Sequence, residues 1–404
     1  MNKFEYLTGK TIYIDKSKIS VESLLGEGNS CVTYFAKNND KVNSNVLLKE
    51  FVPVINEEIG RNAYLLLKDD NKFYRVLPSL RDEFNEKYDA FLKNNNRITE
   101  LLRSVSENAA PDSEDAKIYR YIALPDFVSK YPNGNDLKTT LDNDNKYSYI
   151  LCYNYDSRDL DKKLADLSII DKLRIVKQLC FVIGKFHKNN IIIADLKPEN
   201  FLYDMDGEFP VLKLFDFDSA LIVDDHGLLD LNELQSPKGS PFFSAPEVIK
   251  KITSSIGIHS DIYSLGAILF YLLLFGNEKF MDLYNHSNPY LELHNLDPDE
   301  MDLLLDELRI NDSRVTTGFI NRLKNVLKKC LTSEYDFYER YRKDESNTAT
   351  ERLEKEIQIL MEIYENKGIH PEVILDHAIK QAEEFSKSFT IDEDLLAEVE
   401  IIED

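Results

Sequence analysis

A chain of 404 residues with 43% hydrophobic and 30% charged residues has material for two or three domains and a sizeable core. Its formal net charge of -23 opposes binding to nucleic acid phosphates and to anionic lipid, so neither partner is expected. The opening MNKFEYLTGK carries no basic-then-apolar signal, and the run IYSLGAILFYLLLF is too short and mixed to span a bilayer, which predicts a soluble, cytoplasmic protein.

From Thr11 to about Lys49, the runs TIYIDKSKISVESLL, CVTYFA and NVLLKEF alternate with Gly, Asn and Asp turn signals, which predicts a small antiparallel sheet. Phe84, Tyr88, Phe91 and Leu92 then recur at three-to-four spacing, so a helix is expected over Ser79 to Arg103. Two more strand candidates, YRYIALPDFV and YSYILCYNYD, flank a polar insertion at about 131 to 146 that reads as a surface loop.

After Asp156 the period becomes mostly helical. DKLRIVKQLCFVIGKFHK is apolar on one face and HSDIYSLGAILFYLLLF nearly all round, so the second is expected to be buried. Between them, NFLYDMDGEFPVLKLFDFD reads as a hairpin turning at Asp206-Gly207. Further helices are expected at MDLLLDEL, TGFINRLKNVLKKCL and TATERLEKEIQILMEIYEN. A sheet with one helix followed by a mainly helical region predicts two lobes. The last stretch, 366 to 404, is acidic, and its PEVILDHAIKQAEEFSK reads as one more helix.

Cys31, Cys152, Cys180 and Cys330 are far apart, which suggests reduced, buried thiols and neither zinc nor disulfides. LTGKTIY holds G-K-T, but Phe4 stands where a phosphate loop needs its first glycine. DMDGEF begins like a calcium loop, but its twelfth position is Phe215, which cannot close one.

LLGEGNSCVTYFAK sets Gly26 and Gly28 between two strands, and NVLLKEF puts Lys49 mid-strand, where a lysine among Val and Leu needs an anionic partner. In DLKPEN, Asp195 and Asn200 bracket Lys197; LFDFDSA follows with Asp216, then GSPFFSAPE and SDIYSLG. An Asp near an acceptor hydroxyl, a Lys near the transferred phosphoryl, and an Asn plus a second Asp on magnesium are the parts that handling a nucleotide γ-phosphate requires. This ordered set resembles the eukaryotic-type (Hanks-type) protein kinase family over roughly residues 20 to 360.

The resemblance implies an α+β, bilobal protein-kinase-like fold: an N-terminal antiparallel sheet lobe (1–153), a mainly helical C-terminal lobe (154–365) and an acidic tail (366–404). It implies a magnesium-dependent kinase acting on Ser/Thr of a protein substrate, with ATP and Mg2+ as cofactors and the oligomeric state open. Asp195, Lys197 and Lys49 take the catalytic positions. Leu25, Gly26, Gly28, Thr33, Lys49, Cys152, Asn154, Asn200 and Asp216 take the nucleotide-binding ones, with Asn200 and Asp216 on the metal. Glu247 of A-P-E is expected to pair with Arg340, Asp261 to brace the catalytic loop, and Ser240 to contact the catalytic Asp and Lys. The helix glutamate that pairs with the strand lysine is Glu100, Glu86 or Glu83, with Glu100 favoured.

Several positions depart from the pattern. Cys31 stands at the third glycine, Leu47 where Ala often faces adenine, and Ile193-Ala194 where His-Arg precede the catalytic Asp. Asp218 replaces the glycine of D-F-G, where a residue at positive φ is expected. Leu228, Leu229 and Leu231 are expected to order the segment after Asp216. Two other classes stay open at this point: a pseudokinase serving as a nucleotide-binding or interaction scaffold, and a small-molecule phosphotransferase of similar fold. ATP turnover with a generic protein substrate separates them.

Overall fold

The computed structural model describes residues 7–14, 17–28, 30–40, 44–55, 64–66, 74–110, 113, 116, 118, 121–122, 127–129, 149–153, 160–206, 208–231, 237–286, 293–333, 340 and 349–365. The N-terminal part runs β1 (Thr11–Ile14), β2 (Ser17–Glu27), β3 (Cys31–Asn38), β4 (Ser44–Phe51), β5 (Tyr64–Leu66), β6 (Tyr74–Val76), α1 (Arg81–Glu107), β7 (Phe127–Ser129) and β8 (Tyr149–Tyr153). Six of these strands form one sheet in the order β1-β2-β3-β4-β8-β7, with every pairing antiparallel. The Val, Leu and aromatic content of β3 and β4 suits central strands, and their register sets Thr33 opposite Lys49. The register of β2 on β3 skips Leu25, so Leu25 is the extra residue of a bulge that bends the strand toward its glycines.

α1 lies on this sheet through an aromatic cluster. Phe51 of β4 has its ring 5.6 Å from Phe84, 5.6 Å from Tyr88 and 4.6 Å from Phe91. The buried stripe of α1 reads Phe84, Tyr88, Phe91, Asn95, Ile98 and Leu102, alternating four and three residues as a helix with one covered face must. Of the strand expected over YRYIALPDFV, the described residues that join the sheet are at its end, in Phe127–Ser129. Ile122 instead makes an isolated parallel bridge to Leu214, where the Leu214 amide donates to the Tyr121 carbonyl at 2.9 Å. The 131–146 insertion and the 366–404 stretch lie outside the described residues.

The second part runs α2 (Leu160–Asp166), α3 (Ile169–Lys188), β9 (Ile191–Ile192), β10 (Phe201–Asp206), β11 (Phe209–Leu214), β12 (Leu221–Ile222), α4 (Pro246–Ile249), α5 (Ile258–Leu274), α6 (Glu278–His286), α7 (Pro298–Asn311), α8 (Thr317–Cys330) and α9 (Ala349–Tyr364). Every residue of α5 from His259 to Leu274 is buried, as its all-round apolar sequence demands. α3, α7, α8 and α9 pack around it. Gly266 lets α8 come close, because a Cβ there would fall 2.3 Å from the Cys330 Cβ. Cys31, Cys180 and Cys330 are buried thiols outside any disulfide, and the Cys152 side chain lies outside the described part. Among the described residues no helix is long and apolar enough to cross a membrane.

Candidate active site

Three local devices bring the chemistry-bearing side chains together. The first is the β10-β11 hairpin, whose register runs from Phe201↔Leu214 to Asp206↔Phe209. Asn200 precedes one strand and Asp216 follows the other, and the Phe215 amide donates to the Asn200 carbonyl at 2.9 Å, so the two residues end up side by side. The second is α5. Its Asp261, fully buried, accepts from the Ile193 and Ala194 amides at 2.9 Å each and meets His187 Nε2 at 2.9 Å. These bonds hold Ala194 at φ 64°, a left-handed conformation that costs a non-glycine residue about 1 to 2 kcal/mol. The third is the β3-β4 ladder, which presents Lys49 from the sheet lobe.

Asp195 follows Ala194 directly. Its Oδ2 accepts from Lys197 Nζ at 2.8 Å, and the same ammonium donates to Ser240 Oγ at 2.7 Å. Asn200 Nδ2 donates to the Asp195 carbonyl at 2.7 Å. Asp195 Oδ1 is buried and, among the described residues, has no hydrogen-bond partner, an orphaned acceptor on a residue that lines the cleft. Across the cleft, Lys49 Nζ lies 2.7 Å from Asp216 Oδ1 and 3.5 Å from Asp218 Oδ2. Burial alone would lower the Lys49 pKa, but Asp216 and Asp218 hold it well above the usual lysine value. Burial likewise works to raise Asp216, and the Lys49 charge and hydrogen bond outweigh it, so Asp216 sits below the carboxylate range. Burial pushes Asp218 up to about 6, and pushes the Cys31 thiol far above its ordinary value. Cys31 is therefore an unreactive thiol at neutral pH.

Gly28, Thr33, Lys49, Asp195, Lys197 and Asp216 line one cleft between the lobes. Leu25 is 47% exposed on the β2 bulge, and Gly26 pairs with Thr33. Cys152 lies opposite Leu47 in the ladder, while Asn154 is outside the described residues. Arg340 meets Glu247 as expected: Nη1 to Oε1 at 2.6 Å and Nη2 to Oε2 at 3.2 Å, with neither side chain exposed. Ile193 is buried in the core of the helical lobe, so packing takes the place of the usual His.

Other expectations need correction. Glu83, Glu86 and Glu100 are all exposed, and none reaches Lys49. Around α1, Glu83 lies about 100° from the neighbouring stripe residue and Glu86 and Glu100 about 160°, so the helix turns them away from the cleft. The stripe residue that points there is Asn95, whose Nδ2 donates to Asp218 Oδ1 at 3.4 Å. Positive φ falls on Asp216, at 67°, and not on Asp218, so the turn does not need glycine at its third residue. Leu231 is 70% exposed and Leu228 only half-buried, which leaves Leu229 as the buried anchor of that segment.

Lys238 also lines the cleft, and the motifs give no hint of it. Burial first, and Lys87 next, lower its pKa, while Asp218 pulls the other way. Asn95 had a legible signal: it falls on the four-three spacing of Phe84, Tyr88 and Phe91, a polar residue on an apolar stripe.

Sheet lobe, helical lobe and interlobe cleft together define a bilobal, protein-kinase-like molecule. The family described as protein kinase domain matches residues 105–345, more than half of the chain, and the chain belongs to that family. The match starts near the end of α1, so the glycine-bearing strands and Lys49 lie before it. Calcium-dependent protein kinase 11 of Arabidopsis thaliana is 30% identical over 172 residues, 42% of this chain and 32% of that one. Calcium/calmodulin-dependent protein kinase type IV of Homo sapiens is 36% identical over 112 residues, 28% of this chain and 22% of that one. The matches thus span about a third or less of those relatives' length. Among solved structures, vaccinia related kinase 3 is similar at 14% identity and a TM-score of 0.47, covering 88% of this chain and 93% of that one.

Proposed function

We propose that the chain is a protein kinase that transfers the ATP γ-phosphate to Ser or Thr hydroxyls of a protein, with magnesium. The observation that carries this reading is Asp195: one carboxylate oxygen clamped by Lys197, the other buried without a partner among the described residues. That free oxygen is what an acceptor hydroxyl needs for orientation and for loss of its proton. Lys197, also held by Ser240, sits where charge on a transferred phosphoryl would be met. Lys49 supplies the opposite cation, its ammonium kept charged by Asp216 and Asp218.

The donor set suits the cofactor. Asp216 and the amide oxygen of Asn200 are hard oxygen donors on adjacent ends of one hairpin, which fits magnesium held jointly with phosphates. Magnesium, when bound, neutralises charge across the β- and γ-phosphates. Leu25, Gly26, Gly28, Thr33 and Cys152 would surround the nucleotide, with Asn154 completing the set. The division into lobes at 1–153 and 154–365, with a tail from 366, accompanies this reading.

The test is turnover. Asp195→Asn should lower phosphorylation of a generic Ser/Thr substrate by at least about 100-fold while leaving magnesium-ATP binding within a few-fold of the natural protein. Asp216→Ala should weaken both. If the natural protein binds ATP but transfers nothing, a pseudokinase scaffold replaces this reading.

A further inference from the structure

We propose that Asp218 is the carboxylate that positions Lys49, in place of a helix glutamate, and that α1 is coupled to the site through the neutral amide of Asn95. The inference rests on reading the cleft as a nucleotide site.

Four observations converge on the one side chain. Asp218 Oδ2 lies 3.5 Å from Lys49 Nζ. Its Oδ1 accepts from Asn95 Nδ2 at 3.4 Å, and Asn95 is anchored in turn by donating to the Phe91 carbonyl one turn back at 2.9 Å. The Cys31 thiol, on β3 beside the glycine-bearing turn, donates to Oδ2 at 3.7 Å. All four glutamates of α1, Glu83, Glu86, Glu100 and Glu107, face solvent. Asp218 therefore joins β3, β4, α1 and the turn after β11, a convergence that an ion pair between α1 and β4 alone would not give.

A lysine among apolar strand residues needs an anionic partner to stay charged, and a second one fixes its direction. Asp216 gives one of them, but a carboxylate used by a metal is not free to orient the lysine by itself. With the second carboxylate two residues further along the same turn, Lys49 and the turn are aligned as a unit. The link to α1 is reduced to a hydrogen bond from a neutral amide to the carboxylate, with a supporting one from Asn94 Nδ2 to the Ala220 carbonyl at 3.3 Å. At 3.4 Å and with one uncharged partner it costs less to break than a full ion pair, so helix displacement perturbs Lys49 less than it would through a glutamate.

The reading makes a signed prediction about Asn95. With Asp218 in place, Asn95→Glu sets two carboxylates against each other and should raise the dissociation constant for magnesium-ATP. In an Asp218→Gly background the same substitution supplies the missing anion and should lower it. Asp218→Gly and Asp218→Asn alone should each weaken kcat/KM for ATP by on the order of 10- to 100-fold, the cost of one misaligned charged group.

The experiment is the four-variant square of Asn95 or Glu with Asp218 or Gly, measured by magnesium-ATP binding, by turnover and by thermal unfolding. Asp218→Asn replaces Gly if the glycine variant does not fold. Opposite signs for Asn95→Glu in the two backgrounds support the inference. The same sign in both, undiminished binding in Asp218→Asn, or absence of ATP binding by the natural protein overturns it. A natural protein that binds ATP without turnover ends the kinase reading alone, since the square is still read by binding.

Discussion

Glu247 accepts from Arg340 with both side chains wholly buried, and His259 Nε2 stands 3.8 Å from the same carboxylate. Arg340 already balances the charge, so a second cation gains little. His259 is buried near the N-terminus of α5, where the helix dipole also disfavours positive charge, and its Nε2–H donates to the Ser255 carbonyl at 2.6 Å. Burial, only partly opposed by Glu247, lowers its pKa from 6.5 to about 4. The unfolded chain then binds the proton more tightly, so stability is full above pH 6.5 and falls as pH drops toward 4. Between pH 7 and pH 5 the loss from this one residue is on the order of 2 kcal/mol. His259→Gln keeps a donor for Ser255 without the titration, and denaturant unfolding at the two pH values should show that part of the loss gone. An unchanged difference would remove His259 as its source. Residues like Arg340 and Asp261 were legible because fixed spacings announce them. Asn95 was legible only as a polar residue on an apolar stripe, since its partner depends on helix rotation, and Lys238 left no signature at all, because its place depends on where a loop returns.

At the scale of elements, the described part of the segment between Asp216 and Glu247 shows how order arises without a phosphate clamp. Asp224 Oδ1 accepts from the His226 and Leu228 amides at 2.9 and 3.0 Å, which forms a tight turn closed by Gly227 at φ 77°. The Leu229 amide donates to the Ile256 carbonyl and the Ile258 amide to the Gly227 carbonyl, so the turn is stitched to the start of α5. Leu229 is buried beneath it. The four serines of the segment are Ser219, Ser236, Ser240 and Ser244. Two already have structural work: Ser240 accepts from Lys197, and Ser244 Oγ donates to the Ala194 carbonyl at 3.1 Å. Ala194 replaces the arginine that would gather a new phosphate. Phosphatase-treated protein and a Ser219→Ala, Ser236→Ala variant should therefore show the same initial rate, with no lag. A lag removed by pre-incubation with ATP, and absent from the variant, would mean conventional switching. Asp224→Ala should slow the reaction by loosening the turn. The sequence pattern marked this segment as carboxylate-rich and apolar, but it credited Leu231, which faces out; the hydrogen-bonding role of Asp224 is invisible to a hydrophobic count.

For the molecule as a whole, the two-lobed division was readable because hydrophobic period changes from strand-like to helix-like, and because α5 is apolar all round. What that pattern leaves undetermined is how the excess of negative charge bears on stability. The formal charge is -23 at pH 7, with a pI near 4.8. Surface ion pairs work the other way: Lys37 with Glu22 at 2.6 Å and Lys188 with Glu351 at 2.8 Å both lose strength on screening. Exposed pairs of this kind contribute about 0 to 1 kcal/mol each, whereas like-charge repulsion acts across the whole surface and opposes the compact state. Raising NaCl from about 10 to about 150 mM shortens the Debye length from about 30 to about 8 Å, enough to cut repulsion between distant carboxylates. At pH 7.5 the melting temperature should rise by a degree or more, roughly 1 °C per kcal/mol for a chain of this size. Near pH 5, close to the pI, the same salt step should leave it unchanged or lower it, because only the ion pairs remain to be screened. Differential scanning calorimetry at both pH values separates the two contributions, and a salt-induced fall at pH 7.5 would mean that ion pairs, not net repulsion, dominate the surface electrostatics.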